Sequence, residues 1–228
     1  MAKKSSKISL PPKGVLPSNP AEPWPWAVAA GVTLASASPR RLELLRQVGL
    51  DPHVLIVPVD ENPLPGEPPA ALVERLARLK AETGRQEAQR LGLPPRPVLG
   101  ADTAVTLGRR ILGKPADASE AHAMLRRLSG RRHRVWTGVA AAWPDGPVQA
   151  RVSVTSVWFK PLSDLEIQRY VTSGEPLDKA GAYGIQGLGA FMVARIRGSY
   201  SGVVGLPLFE TLDLLTPPCH FAKRPFRS

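Results

Sequence analysis

The chain has 228 residues, 43% of them hydrophobic and 21% charged, which excludes wholesale disorder and is long enough to bury a core without metal or disulfide staples. Its single cysteine, Cys219, excludes an intramolecular disulfide framework and a cysteine-rich zinc site. With 30 Lys and Arg against 19 Asp and Glu, the formal charge of +11 favours nucleic acid, anionic lipid or phosphorylated small molecules as partners, without choosing among them.

Residues 1–30 read as a flexible, basic, Pro-rich extension outside the fold. Lys3, Lys4 and Lys7 followed by the apolar stretch from Trp26 to Ala35 imitate a secretory signal. The 6 prolines between positions 11 and 25, and the break at Gly31-Val32-Thr33, argue against it. No apolar run approaches the roughly 18 residues of a membrane span. A cytoplasmic protein is the expectation. From residue 31 to 216 helical and strand patterns alternate, as in an α/β domain. Residues 217–228 form a second basic tail.

The first strand covers Val32 to Ser36. A helix follows, with Ser38 at its N-cap, Pro39 at its first position, an apolar stripe of Leu42, Leu45 and Val48, and Gly49 as its stop. His53 to Val59 reads as a second strand, and Pro69 to Leu91 as a long helix burying Leu72, Leu76 and Leu79. Val98-Leu99 is a short buried strand that ends at Gly100-Ala101-Asp102. A hairpin around Gly108-Arg109, a helix over Ser119–Ser129, and two long strands over Val135–Trp143 and Val148–Phe159 come next. The second of these shows Val152, Val154, Ser156 and Trp158 on one face. Ser163 and Glu166 form a capping box for a further helix.

Several residues along this path carry chemistry. Ser36-Ala37-Ser38-Pro39-Arg40-Arg41 lies where a strand becomes a helix, and a helix N-terminus offers unpaired N–H groups to an anion. The serine hydroxyls add donors, and Arg40 can hold a phosphate through two N–H groups. A plain helix cap followed by solvated arginines explains the pattern equally well. Asp102 suits a metal ligand or a general base, and also a simple turn. Asp60 and Glu61 can complete an oxygen-rich site for magnesium or manganese, or merely end a strand. Lys80 and Lys114, taken singly, read as surface charges. The glycine-rich stretch Leu177–Gly187 suits either a backbone that approaches a ligand closely or an ordinary loop. His53, His122, His133 and His220 lack metal-ligand spacing, and the tryptophans at 24, 26, 136, 143 and 158 read as packing groups rather than base-stacking platforms.

Taken in order, Leu34-Ala35-Ser36-Ala37-Ser38-Pro39-Arg40-Arg41, Ala77-Arg78-Leu79-Lys80-Ala81, Gly100-Ala101-Asp102-Thr103, Gly113-Lys114-Pro115, Met124–Gly130, Asp178–Gly187 and Val204-Gly205-Leu206-Pro207 resemble the Maf family, also called septum formation inhibitor proteins. The resemblance spans roughly residues 32 to 215. It implies a Maf/ITPase-like α/β fold, an elongated mixed sheet with flanking helices about a central cleft, in a homodimer. It implies a nucleoside triphosphate pyrophosphatase that uses a divalent cation, Mg2+ or Mn2+, and releases a nucleoside monophosphate and pyrophosphate. Arg40, Thr103 and Gln186 resemble the branch acting on dTTP and UTP, with modified pyrimidine nucleotides as further house-cleaning substrates.

On this resemblance Asp102, Lys80 and Lys114 are the expected catalytic residues. Ser36, Ser38, Arg40, Arg41, Thr103 and Gln186 are expected to bind substrate, and Glu61 with Asp102 to hold the metal. Neither membrane nor nucleic acid is an expected partner. The competing reading is a division or septation regulator that acts by binding.

Overall fold

In the computed structural model, which describes residues 31–216, strand β1 (Thr33–Ala35) is buried along its whole length. It hands over to helix α1 (Pro39–Gln47), where Pro39 fixes the first turn. Gly49, at φ +81°, ends that helix by letting the chain reverse, and the Leu50 N–H reaches back to the Leu45 carbonyl. The buried stripe of α1 is Leu44 and Leu45 rather than Leu42 and Val48, which are only half-buried.

Strand β2 is shorter than the apolar pattern predicts. Only His53–Val54 pairs with β1, and the chain from 55 to 68 is irregular, because prolines at 58, 63, 65 and 68 cannot donate to a ladder. Helix α2 (Pro69–Arg90) buries Leu72, Val73, Leu76, Ala77, Lys80, Ala81 and Gly84, while Leu79, expected inside, is exposed.

The largest departure is strand β3 (Val98–Leu107), which runs unbroken through Gly100-Ala101-Asp102 instead of ending there. Gly100 is bare because α2 lies directly on it, whereas Ala101 points to the opposite face and packs with Leu34 and Leu99. A Cβ on Gly100 would sit 2.4 Å from the Ala77 carbonyl oxygen, and one on Gly138 would sit 2.2 Å from the Val73 carbonyl oxygen. Close helix-on-sheet packing selected these residues, and turn formation did not.

Strand β4 (Arg110–Leu112) closes the expected hairpin on β3, and α3 (Ala118–Leu128) takes an Asp117 cap. The long antiparallel pair β5 (Arg132–Ala142) and β6 (Gln149–Phe159) follows. On β6 the better-buried face is Ser153, Thr155, Val157 and Phe159, the opposite of the predicted one. Thr155 belongs inside because its hydroxyl bonds both the Ser199 carbonyl and the Ser199 N–H. Helix α4 (Asp164–Thr172) opens with the predicted Ser163–Glu166 capping box. Three short 3-10 turns between Glu175 and Met192 follow, then β7 (Val193–Arg197), α5 (Tyr200–Val204) and α6 (Leu208–Leu215), to which the sequence reading assigns no elements.

The sheet is mixed, in the order β2-β1-β3-β5-β6-β7, with β4 also on β3. Helix α2 covers one face. The opposite face carries two apolar clusters, one built with α1, α5 and α6 and the other with α3 and α4. The α/β expectation therefore holds, with a mixed sheet between helices. No helix among the described residues is long and apolar enough to cross a membrane. Both predicted tails, with Cys219, His220, Trp24 and Trp26, lie outside the described residues.

One feature of the register places the site. Along the same edge of β3, parallel β1 pairs with residues 98–100 and antiparallel β4 pairs with residues 105–107. Residues 101–104 lie in the gap between them. Successive strand residues point to opposite faces, so Asp102 and Thr103 enter the cleft at this gap from opposite sides of the sheet.

Candidate active site

A cleft of about 580 Å³ opens at the β1–β4 gap, and it is lined by Ser36, Ser38, Arg40, Arg41, Glu61, Lys80, Asp102, Thr103, Lys114 and Gln186, the residues that the resemblance marks for catalysis, substrate or metal. Asp60 does not join them. Its carboxylate accepts from the Asn62 N–H at 2.9 Å and serves a turn.

Three charged groups form the centre. Lys80 comes from α2 and is 8% exposed; its Nζ lies 2.6 Å from Glu61 Oε1 and 2.7 Å from Asp102 Oδ1. A lysine so far from water is held by its two carboxylates, of which Asp102 is itself largely buried and Glu61 is half exposed. Desolvation pushes the Glu61 carboxyl up. The Lys80 hydrogen bond and the fields of Lys80, Lys114 and Arg41 outweigh this and hold it below the usual carboxylate range. Glu61 reaches the site although its strand does not form. Arg75 pins the neighbouring loop to α2 by donating to Glu67 Oε1 at 2.6 Å and to the Asn62 carbonyl at 3.1 Å.

Arg41 forms the floor. Its guanidinium donates to the Gly205 carbonyl at 2.9 Å, Ser36 Oγ at 3.0 Å and Thr103 Oγ1 at 3.5 Å. Burial lowers its pKa, with Asp102 and Glu61 opposing that shift. Thr103 is fixed in turn by Thr137 Oγ1 at 3.2 Å. Ser36 Oγ also accepts from the Ser38 N–H at 3.2 Å, while the Ser38 hydroxyl makes no cap bond. The Ser38 side chain and the first turn of α1 thus face the cleft.

Arg40 meets Asp178 Oδ2 at 3.2 Å, joining α1 to the glycine-rich segment. Asp178 itself is 64% exposed, so this pair is worth at most about 1 kcal/mol and a competing anion displaces it. Sequence reasoning missed Asp178 as a partner, although it stands in the segment marked as suited to ligand approach. It also missed the Gly205 carbonyl and Thr137. The one available signal was the Val204-Gly205-Leu206-Pro207 motif, whose role emerges only once Arg41 is seen to bond it. Tyr183, Lys179 and Ile185 complete the wall bearing Gln186.

No group of three or more His, Cys, Asp and Glu able to hold a metal is gathered among the described residues. The convergence of Glu61 and Asp102 on a single Nζ does, however, offer hard oxygen donors at one point. Magnesium commonly binds through one or two carboxylates completed by substrate phosphates, and this donor set fits that mode.

The family model described as Maf-like protein matches residues 31–217. The dTTP/UTP pyrophosphatase of Aromatoleum aromaticum is 52% identical over 198 residues, covering 82% of this chain and 95% of its own length. The enzymes of the same name from Ralstonia nicotianae and Pseudoalteromonas translucida are 53% and 54% identical; they cover 80% and 81% of this chain, and 91% and 95% of their own. The first turn of a helix facing the cleft, a carboxylate–lysine centre at the sheet gap and this similarity over the whole described region agree: the chain belongs to the Maf-like protein family.

Proposed function

We propose that this protein hydrolyses dTTP and UTP, with modified pyrimidine nucleotides as further substrates, to the nucleoside monophosphate and pyrophosphate. The observation that carries the reading is the meeting of Asp102, Lys80, Glu61 and the α1 N-terminus in the one cleft that also holds Gln186. Relatives at least 50% identical that bear the name dTTP/UTP pyrophosphatase support it.

The triphosphate lies across the first turn of α1, where backbone N–H groups, Ser36, Ser38 and Arg41 receive its oxygens. Arg40 exchanges Asp178 for phosphate. Glu61 and Asp102 would hold the divalent cation, which when bound would neutralise phosphate charge and make a nearby water more acidic. Lys80 engages Oδ1 of Asp102, so Oδ2 takes the proton as water attacks the α phosphorus. The α–β bridging oxygen leaves with its electron pair as pyrophosphate. Lys80, Lys114 and Arg40 stabilise the charge that builds on the phosphoryl oxygens. Gln186 presents one donor and one acceptor to the N3–H and O4 edge of uracil or thymine, and Thr103 lines the same cleft.

On the same reading the enzyme works in the cytoplasm as a homodimer on free nucleotides. The test is purified full-length protein with Mg2+ or Mn2+ against dTTP, UTP, CTP, GTP and 7-methyl-GTP, assayed for monophosphate and pyrophosphate. Preferential turnover of dTTP and UTP is expected. Silence across the panel from folded protein sinks the proposal in favour of a binding role.

A further inference from the structure

Gln186 sits on a segment with little regular structure, yet an amide that distinguishes bases must be held to within about half an ångström. What holds it lies on the side away from the substrate. The Glu175 carboxylate accepts three hydrogen bonds: from Tyr170 Oη at 2.9 Å, the Leu188 N–H at 2.9 Å and the Gly189 N–H at 3.1 Å. The same Tyr170 hydroxyl accepts from the Gly184 N–H at 3.1 Å. The backbone is therefore tied two residues before Gln186 and again two and three residues after it, through one carboxylate and one phenol. Tyr170 is anchored in the α4 face at 2% exposure, and burial raises its pKa, so its proton stays available to Glu175.

The glycines fit this clamp. Gly187 has φ +74°, and a Cβ there would lie 2.9 Å from Glu175 Oε2. A Cβ on Gly189 would lie 2.3 Å from the Gly184 carbonyl oxygen and 2.7 Å from Tyr170 Oη. These positions are bare because the chain folds tightly onto the carboxylate. The Glu175 carbonyl also accepts from Lys179 Nζ at 2.6 Å, and Lys179 holds Asp178 Oδ1 at 2.6 Å, which ties the Arg40 partner to the same hub.

We propose that Glu175, together with Tyr170, is a positioning residue that sets the choice of base by fixing the backbone on either side of Gln186. The proposal rests on the dTTP and UTP reading of the cleft. A site built to hydrogen-bond a base edge loses discrimination when its polar group drifts, whereas the phosphate-binding wall is untouched by the change.

The test uses full-length wild type, Glu175→Ala, Glu175→Gln and Tyr170→Phe. Each is measured for kcat and KM on dTTP, UTP, CTP and GTP, and for amide hydrogen exchange at Gly184, Leu188 and Gly189 against the β3 amides. In Glu175→Ala, kcat/KM for dTTP and UTP falls about 30-fold, mainly through KM, while CTP and GTP change less than threefold. Protection at the three loop amides drops at least tenfold and the β3 amides keep theirs. Glu175→Gln, which retains one acceptor oxygen, recovers part of the selectivity, and Tyr170→Phe loses part. An equal fall for every nucleotide, or a fall confined to kcat, overturns the proposal, as does unchanged loop protection. A selective wild type beside an equally selective Glu175→Ala overturns this inference and leaves the function standing; a wild type silent on every nucleotide overturns both.

Discussion

One wall of the cleft is built from β1, α1, α2 and β3, and the other from short turns between Glu175 and Met192. The first wall carries Arg40, Arg41, Lys80 and Asp102 on regular elements, and its geometry is set by backbone ladders and by α2 pressed onto Gly100 and Gly138. The second carries Gln186 on a segment whose bonds run to the Tyr170 and Glu175 side chains and to the Gly113 backbone carbonyl, which accepts from the Gly181 N–H at 2.9 Å. It is also braced from behind, where His133 Nε2 meets Tyr183 Oη at 2.8 Å within an edge-to-face cluster with Phe159. On the proposed function the difference assigns separate duties: the rigid wall performs the phosphate chemistry, and the pinned wall selects the base.

That division can be broken first at the rigid wall. Asp102→Asn removes the base and is expected to lower kcat about a thousandfold, roughly 4 kcal/mol in the barrier, for every nucleotide alike. Asn keeps an amide oxygen facing Lys80 and Glu61 keeps the lysine's counter-charge, so thermal unfolding should stay close to wild type, and steady-state kinetics with a melting curve check both. A loss for dTTP and UTP alone contradicts the division.

Gly100→Ala comes next, because its methyl would enter the space of the Ala77 carbonyl oxygen at 2.4 Å and the Ala81 nitrogen at 2.5 Å. About 3 kcal/mol of stability should disappear in denaturant unfolding, with activity falling as α2 and Lys80 lift from β3. A smaller effect belongs to the braced wall and depends on pH. Burial holds the His133 imidazole neutral, with its pKa lowered from 6.5 to about 4. The unfolded chain binds a proton between those values and the native chain does not, so this contribution is complete above pH 6.5 and is lost as pH falls toward 4. By pH 5 the loss amounts to about 2 kcal/mol. His133→Gln cannot titrate, so its unfolding free energy should vary less between pH 7.5 and 5 than that of wild type; parallel curves would assign the acid sensitivity elsewhere.

The same two walls explain what could be read from sequence. Ser38-Pro39, Gly49 and the Ser163–Glu166 box are local signals, and the helices begin and end where those residues place them. Asp102, Lys80 and Lys114 were legible as an ordered set through resemblance, while their meeting point was not. The set converges only because β1 pairs with β3 no further than residue 100 and β4 takes up the pairing at 105, which is a fact of register rather than of any short stretch. Gly100-Ala101 reads as a turn when α2 is out of view. The buried Thr155 looks polar and outward until Ser199 supplies its partners. Glu175 carries no local sign of its role, since every donor to its side-chain oxygens is brought in by folding.

The central claim is that water, activated at Asp102, attacks the α phosphorus. Turnover of dTTP in 18O-enriched water, with both products read by mass spectrometry, tests it directly. One 18O atom is expected in the thymidine monophosphate and none in the pyrophosphate. Label in the pyrophosphate, or release of a nucleoside diphosphate and labelled phosphate, would contradict it.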